Sequence, residues 1–250
     1  ISPDGTRIAW FSDKGTRQAL WVGEIAKLPA KSAKEVQSGA GMPSHESFSP
    51  FRSGLDWSSD GKRIAVAALR SGRNVVQILE ARNGRVRKTI DPKLDALANP
   101  AWSFDGRYLA FRGLLDGRSD LWLHDLQTGT TRRLTDDDAE DDEPAFSPSG
   151  TMLAFTSDRS GNGRDIWILD MTSGALRRAT TDPADDTRPS WGGPSDDSAT
   201  LAFVSDRCGL PQVHALSGTS LSDTIRPRPL TNLLSGVTSA KLSRDGSRLA

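Results

Sequence analysis

Short apolar runs alternate with turn residues along the whole chain, and residues 144–180 show this pattern most clearly. Residues 144–147 and 152–155 are apolar runs joined by Pro-Ser-Gly, and a third run occupies 166–170. Residues 176–180 then alternate between apolar and polar side chains, as a half-exposed edge strand does. No part of the segment has helical spacing over ten residues. The pattern therefore predicts a four-stranded antiparallel meander.

The same ten-letter segment, typified by Trp102–Phe111, occurs in six versions. The alanine that all six share falls at positions 9, 65, 110, 154, 202 and 250. A unit of 44 to 56 residues buries too little core to fold alone, so the units must pack against one another. Four strands in each unit favour the blade of a β-propeller, and a β-sandwich array is the alternative.

Counting the units predicts one all-β domain over residues 1–250, with five complete repeats and the start of a sixth. The chain begins and ends inside the repeat pattern, so we expect an excerpt of a longer polypeptide whose ring has six or more blades. The repeats are expected at about 1–53, 54–98, 99–142, 143–187, 188–239 and 240–250.

The repeat pattern S-P-D-G-x-x-I/L-A-F, followed by S-D-R-x-G, D/N-I/L-W and R-x-L-T, resembles the WD-repeat-like propeller repeat of TolB. The resemblance covers essentially the whole chain and implies a periplasmic or secreted protein that binds other proteins. The same repeat occurs in propeller domains of some peptidases. Two segments depart from the pattern: 192–198 predicts a wider hairpin loop, and 27–53 is a Lys-, Ser- and Pro-rich insert.

Composition adds few constraints on function. The chain has 32 basic and 32 acidic side chains, so no net field attracts nucleic acid or an anionic membrane. No apolar run approaches the length of a spanning helix, which predicts no membrane insertion. The single cysteine, Cys208, excludes an intrachain disulfide and a cysteine-based zinc cluster.

Candidate binding residues lie in the connections between repeats and in the Ser-Asp-Arg loops. Because each strand reverses direction, these connections and loops should share one face, opposite the Asp-Gly turns. The acidic run 136–143 can be a solvated rim or a calcium site, since calcium prefers several carboxylate oxygens. The Asp-Arg pairs can be partner contacts or braces for their loops. The residues expected to bind a protein partner are Asp137, Asp141, Asp142, Arg159, Asp185 and Arg207.

No catalytic constellation is visible in the sequence. It contains no Gly-x-Ser-x-Gly elbow, His-Glu-x-x-His or Gly-rich phosphate loop, so we expect no catalytic residue, metal or cofactor. His124 is expected to be an exposed strand residue. The recurrent tryptophans, such as Trp57 and Trp102, are expected to pack between blades.

Three function classes remain open. The first is a non-catalytic protein-interaction scaffold similar to the TolB propeller. The second is the propeller domain of a larger peptidase or hydrolase, similar to prolyl oligopeptidase or tricorn, whose catalytic domain lies outside this chain. The third is a ligand- or metal-binding propeller. Fold alone does not choose among them, because propellers host unrelated activities.

Overall fold

The structure is a computed structural model that describes residues 1–14, 17–27, 33–38, 47–48, 54–217 and 226–250. Strands dominate these residues, and the only helical elements among them are two three-residue 3-10 turns, Ile25–Lys27 and Asp196–Ser198. Neither turn is long or apolar enough to cross a membrane. The predicted insert at 27–53 lies largely outside the described residues.

The strands are β1 (Arg7–Lys14), β2 (Arg17–Glu24), β3 (Lys34–Ser38), β4 (Ser47–Phe48), β5 (Leu55–Trp57), β6 (Arg63–Arg70), β7 (Arg73–Glu80), β8 (Val86–Ile90), β9 (Ala96–Trp102), β10 (Tyr108–Leu115), β11 (Arg118–Asp125), β12 (Thr131–Arg133), β13 (Asp141–Phe146), β14 (Met152–Ser157), β15 (Asp165–Asp170), β16 (Leu176–Arg178), β17 (Asp186–Gly192), β18 (Thr200–Ser205), β19 (Gln212–Ser217) and β20 (Arg228–Pro229).

These strands form five antiparallel sheets, which are the blades of a propeller. The sheets are β1–β3, β4–β8, β9–β12, β13–β16 and β17–β20, and consecutive strands pair within each sheet, except that β4 and β5 both pair with β6. The first strands β5, β9, β13 and β17 contact one another in sequence, so they are the innermost strands around the central channel. The prediction of an all-β propeller built from antiparallel meanders is confirmed.

Turn residues fix the hairpin between the first and second strands where the repeat carries Asp-Gly. In the third sheet, the Ser103 hydroxyl donates to the Asp105 carboxylate at 2.5 Å, and the Gly106 N–H donates to the Ser103 carbonyl at 2.9 Å. Gly106 has a φ of +74°, which a residue without a Cβ adopts at little cost. The recurring Asp-Gly pair therefore encodes a tight turn with its own internal hydrogen bonds.

The shared alanine is buried in the second strands of four sheets. Ala65, Ala110, Ala154 and Ala202 are all at most 1% exposed. Ala154 packs with Ile166 and Ile168 of its own sheet and with large side chains of the next sheet. The small residue leaves room for those neighbours. Trp57, Trp102 and Trp191 are buried at the same interfaces, at 4–5% exposure.

The expected start of a sixth blade in a larger ring is wrong. The described residues form five sheets in a ring, and the last segment contributes only the single bridge Leu242↔Leu249. This hairpin is bonded to the start of the chain instead, because the Arg248 guanidinium donates to the Gly5 carbonyl at 2.8 Å. On its other side, the Gly193 N–H donates to the Arg244 carbonyl at 2.9 Å. The hairpin thus fills the space between the fifth sheet and the start of the first.

Strand parity divides the loops between two faces. The turn face carries the hairpin turns between first and second strands and between third and fourth strands, such as 103–108 and 125–130. There the Leu126 N–H donates to the Arg107 carbonyl at 2.9 Å. The inter-sheet run 136–143 lies instead beside the second-to-third-strand loop, because Arg159 contacts both Asp137 and Asp141. The predicted separation of the acidic run from the Asp-Gly turns is confirmed.

Candidate functional site

The link face is the side of the ring formed by the connections between sheets and by the loops between second and third strands. We define it by residues 115–118, 136–143, 158–164, 182–189 and 206–211. Binding residues concentrate on loops that a rigid scaffold holds, and this face carries the longer and more varied loops. The link face therefore provides the first candidate site.

Arg159 is the centre of a clamp that joins a loop to the preceding connection. Its guanidinium lies 2.7 Å from the Asp141 carboxylate and 3.1 Å from that of Asp137. It also stacks over Phe155 and Trp167, at 5.3 and 5.2 Å from the ring centroids. The side chain of Asp141 is fully buried, whereas that of Asp137 is 44% exposed. Asp141 and Arg159 therefore brace the loop, and only Asp137 presents its carboxylate to solvent.

Arg207 builds the same clamp one sheet further on. It lies 2.8 Å from the buried carboxylate of Asp186 and 2.9 Å from that of Asp182. Its Nε donates to the Ser205 hydroxyl at 2.8 Å, and the guanidinium stacks over Phe203 at 5.5 Å. The Ser-Asp-Arg motif thus supplies a serine acceptor and an arginine that holds the preceding connection by charge-assisted hydrogen bonds.

The acidic run 136–143 is charge-paired and is not a free acidic rim. Each of its seven carboxylates lies within 4 Å of an arginine nitrogen, and those of Asp136, Asp137, Asp138 and Glu140 are also 44–97% exposed, so the run is solvated but its charges are paired. The pairs are Asp136 with Arg118 and Arg133, Asp137 with Arg159, Asp138 with Arg118, Glu140 with Arg164, Asp141 with Arg159, Asp142 with Arg112, and Glu143 with Arg188. Within the described residues, no group of three or more His, Cys, Asp or Glu side chains could hold a metal ion.

Three equivalent backbone irregularities surround the opening of the central channel on the link face. Asn99, Glu143 and Arg188 have φ values of +51°, +56° and +56°, and each precedes a proline in the first strand of its sheet. The register of the three strands shifts beside these residues, as in a β-bulge. Such backbone costs about 1–3 kcal/mol per residue and is frequent at binding sites.

Hydrogen bonds between neighbouring sheets hold the three side chains in place. The Asn99 amide accepts from the Gly54 N–H at 2.8 Å and donates to the Asp142 carboxylate at 2.6 Å. The Glu143 carboxylate accepts from the Arg188 N–H at 2.7 Å and lies 3.3 Å from the Arg188 side chain. The opening is consequently a preorganised ring of amide, carboxylate and guanidinium groups.

A cavity of about 430 Å³ lies within this ring. We call it the mouth cavity. Its lining combines both signs of charge with three prolines, and burial raises the pKa of Asp142 while the Asn99 amide opposes that rise. The lining residues include Gly54, Asn99, Pro100, Asp142, Glu143, Pro144, Arg164, Arg188, Pro189 and Lys241.

The six residues predicted from the sequence occupy three places on the link face. Asp137, Asp141 and Arg159 share the first clamp, and Arg207 anchors the second. Asp142 lines the mouth cavity. Asp185 is exposed, and its carboxylate accepts the Arg164 N–H at 2.8 Å.

Sequence reasoning missed Asn99, Glu143 and Arg188. Their side chains differ in chemistry, so no residue type repeats at this position. The available signal was the proline that follows each of them in the first strand. A proline recurring inside an inner strand marks a bulge or a strand edge, and that signal would have pointed to the channel opening.

His124 is buried, so the expectation that it is exposed was wrong. Its side chain is 4% exposed, and its Nδ1 lies 2.9 Å from the Thr131 hydroxyl. Burial lowers the pKa of His124, and the charge of nearby Lys88 lowers it further. Both effects favour a neutral His124 ring, which is hydrogen-bonded to Thr131 of the neighbouring strand.

The ring of antiparallel sheets around a central channel defines a β-propeller. The family model described as the TolB beta propeller domain matches residues 54–164, which confirms the resemblance carried by the repeat. No curated protein matches the chain at a significant level.

Solved structures show the same architecture over almost the entire chain. A TolB-type protein from Agrobacterium tumefaciens is similar with a TM-score of 0.76 and 23% identity, over 98% of this chain and 84% of that one. TolB from Acinetobacter baumannii is similar with a TM-score of 0.74 and 21% identity, over 99% of this chain and 58% of that one. The tricorn protease is similar with a TM-score of 0.63 and 14% identity, over 98% of this chain but only 27% of that one. These identities establish the fold alone.

Proposed function

We propose that this propeller is a non-catalytic protein-interaction scaffold that holds its partner at the mouth cavity on the link face. The observation that carries the proposal is the polar ring of Asn99, Glu143 and Arg188, held on strained backbone around an open cavity. Backbone strain at three equivalent positions must be offset by the surrounding fold. Such strain is common where a binding cleft holds preorganised side chains.

The chemistry of the mouth cavity suits a polypeptide segment. Glu143 and Asp142 accept hydrogen bonds from N–H groups and cations, whereas Arg188 and Lys241 offer donors to backbone carbonyls and carboxylates. The three prolines add apolar surface beside these groups. A peptide carries both kinds of polar group along one backbone, so it can satisfy both sides of the cavity.

The six sequence-predicted residues take two roles in this proposal. Asp137, Asp142 and Asp185 contact the partner from the surface and the mouth. The other three, Asp141, Arg159 and Arg207, fix the loops that present them. The likeness to TolB supports a periplasmic or other secreted location for the complex.

Capture of a partner from a bacterial envelope extract tests the proposal. The test variant changes Asp137, Asp142 and Asp185 together to Asn. The matched control makes the same three-charge change on the turn face, at Asp60, Asp105 and Asp245, where Asn preserves each Asx turn. We expect the test variant to lose a partner that the control retains, with both variants folded. Equal capture by both variants would show that the link face does not bind the partner.

A second candidate is a propeller that serves a larger hydrolase, which the likeness to the tricorn protease favours. The full coding sequence separates the two candidates. A Gly-x-Ser-x-Gly segment followed by Asp and His in an adjoining domain would favour the hydrolase.

A further inference from the structure

The first hairpin turn of the fourth sheet lacks the carboxylate that closes the equivalent turns elsewhere in the chain. In four other turns, an aspartate accepts the hydroxyl of a serine two residues earlier and the backbone N–H two residues later. These serine–aspartate pairs, at 2.5–2.6 Å, are Ser2 with Asp4, Ser58 with Asp60, Ser103 with Asp105 and Ser243 with Asp245. In the fourth sheet, Ser149 stands at the aspartate position after Ser147. This turn therefore needs an acceptor from elsewhere.

Asp196 of the fifth sheet supplies the missing carboxylate. One of its oxygens accepts the Ser149 N–H at 2.9 Å. The other oxygen accepts the hydroxyls of Ser147, Ser149 and Thr151, at 3.1, 2.5 and 3.0 Å. Ser147 in turn accepts the Met152 N–H at 3.2 Å, as the serine of each other turn accepts the equivalent N–H. A side chain from the neighbouring sheet thus completes the turn.

The longer loop at 192–198 holds Asp196 in position. Asp196 begins a single 3-10 turn, and its carbonyl accepts the Ala199 N–H at 3.3 Å. Ala199 is 1% exposed and belongs to the apolar cluster between the fourth and fifth sheets. The Gly193 N–H fixes the other end of the loop to the last hairpin. The departure of this segment from the repeat pattern therefore places one carboxylate over the neighbouring sheet.

The turn would be left unsatisfied without this carboxylate. The Ser147 side chain is fully buried, and the Ser149 oxygen lies 3.5 Å from its hydroxyl, at the limit for a hydrogen bond. Buried polar groups normally have a partner, and the loss of one is costly. On the link face, the Arg188 N–H already joins the same two sheets through the Glu143 carboxylate at 2.7 Å. Asp196 ties them together on the turn face.

We propose that Asp196 is a strap that makes closure of the first turn of the fourth sheet conditional on docking of the fifth sheet. The other four turns take the equivalent carboxylate from their own segment, so they need no strap. In the fourth sheet the turn and the inter-sheet contact form and break together. This device does not depend on the partner proposed for the mouth cavity.

Moving the carboxylate back into the turn tests the strap by thermal unfolding. Asp196→Asn should lower the melting temperature by at least about 3 °C, because an amide has one acceptor oxygen for four donors. The control Asp116→Asn, at an exposed aspartate outside the turn, should leave it nearly unchanged. Ser149→Asp should lower the melting temperature of the unchanged chain, since it sets a second carboxylate against Asp196. The same substitution should raise it in the Asp196→Asn background, where it restores a carboxylate to the turn.

Hydrogen exchange distinguishes the strap from a general loss of stability. In Asp196→Asn, the amides of Ser149, Thr151 and Met152 should exchange faster than in the unchanged chain. Those of the turn at 103–108, which has its own aspartate, should exchange at the same rate in both.

Three results would overturn the proposal. They are equal melting temperatures for Asp196→Asn and Asp116→Asn, a shift by Ser149→Asp in the same direction in both backgrounds, and unchanged exchange at 149–152. If Asp196→Asn does not fold, the double variant provides the test. Recovery of the folded state by Ser149→Asp would support the strap, and failure to recover it would overturn the strap.

Discussion

Replacing Ala154 by Leu tests the packing between the fourth and fifth sheets. Ala154 is completely buried and pairs across strands with Ala145 and Ile168. Trp191 and Phe203 of the fifth sheet belong to the same apolar cluster. A leucine adds three carbons at a position closed on all sides, so either the side chains or the sheets must move.

The expected penalty follows from overpacking. Inserting extra methylenes into a closely packed core costs about 1–3 kcal/mol. In a chain of this size, each kcal/mol lowers the melting temperature by roughly 2–4 °C. The Ala154→Leu variant should therefore melt roughly 2–12 °C below the unchanged chain.

Thermal unfolding followed by circular dichroism measures this effect. The matched control is Ala175→Leu, at an exposed position in the second hairpin of the same sheet, and its melting temperature should change little. An unchanged melting temperature for Ala154→Leu would show that the space between these sheets is not closed as described. An equal drop in melting temperature in both variants would show that the leucine side chain itself, and not overpacking at position 154, causes the effect.

Further predictions concern the clamp, an acidic group and a close contact. Arg159→Gln should cost about 3–5 kcal/mol in urea unfolding, since it leaves the buried Asp141 carboxylate without its partner; a cost below about 1 kcal/mol would contradict the clamp. Arg107 lowers the pKa of Asp125 to about 2, so this pair stabilises the fold above pH ~4 and the contribution is lost as pH falls towards 2. Asp125→Asn should make urea midpoints less pH-dependent over that range, and an unchanged slope would contradict the pairing. Gly84→Ala should cost more than the ~1–2 kcal/mol of its positive φ, because the added Cβ would lie 1.8 Å from a carbonyl oxygen of the first sheet; a smaller loss in urea unfolding would contradict this contact.

Local patterns predicted the blade well because the blade is a local structure. The Asp-Gly turn at Gly106 and the buried alanine at 154 follow from residues a few positions apart. Strand parity then placed the acidic run beside the loop of Arg159 without any long-range information. The number of blades was wrong because ring closure depends on contacts such as that between Arg248 and Gly5, at opposite ends of the chain.

The candidate site was less predictable than the fold. Charge spacing identified the acidic run, but most of the arginines that pair with it lie 18 or more residues away, such as Arg118. The mouth cavity depends on the left-handed backbone at Asn99, Glu143 and Arg188, and such conformations are rarely encoded by residue type outside glycine.

Hydrogen exchange on the complex tests the central claim, that a protein partner docks on the link face. The chain would be compared alone and with the captured partner purified from the envelope extract. We expect added protection of backbone amides at 136–143 and 182–189, and around Asn99 at the channel opening. The hairpin turns at 103–108 and 147–152 should exchange at the same rate in both samples. Protection confined to those turns, with the connections between sheets unchanged, would contradict the account.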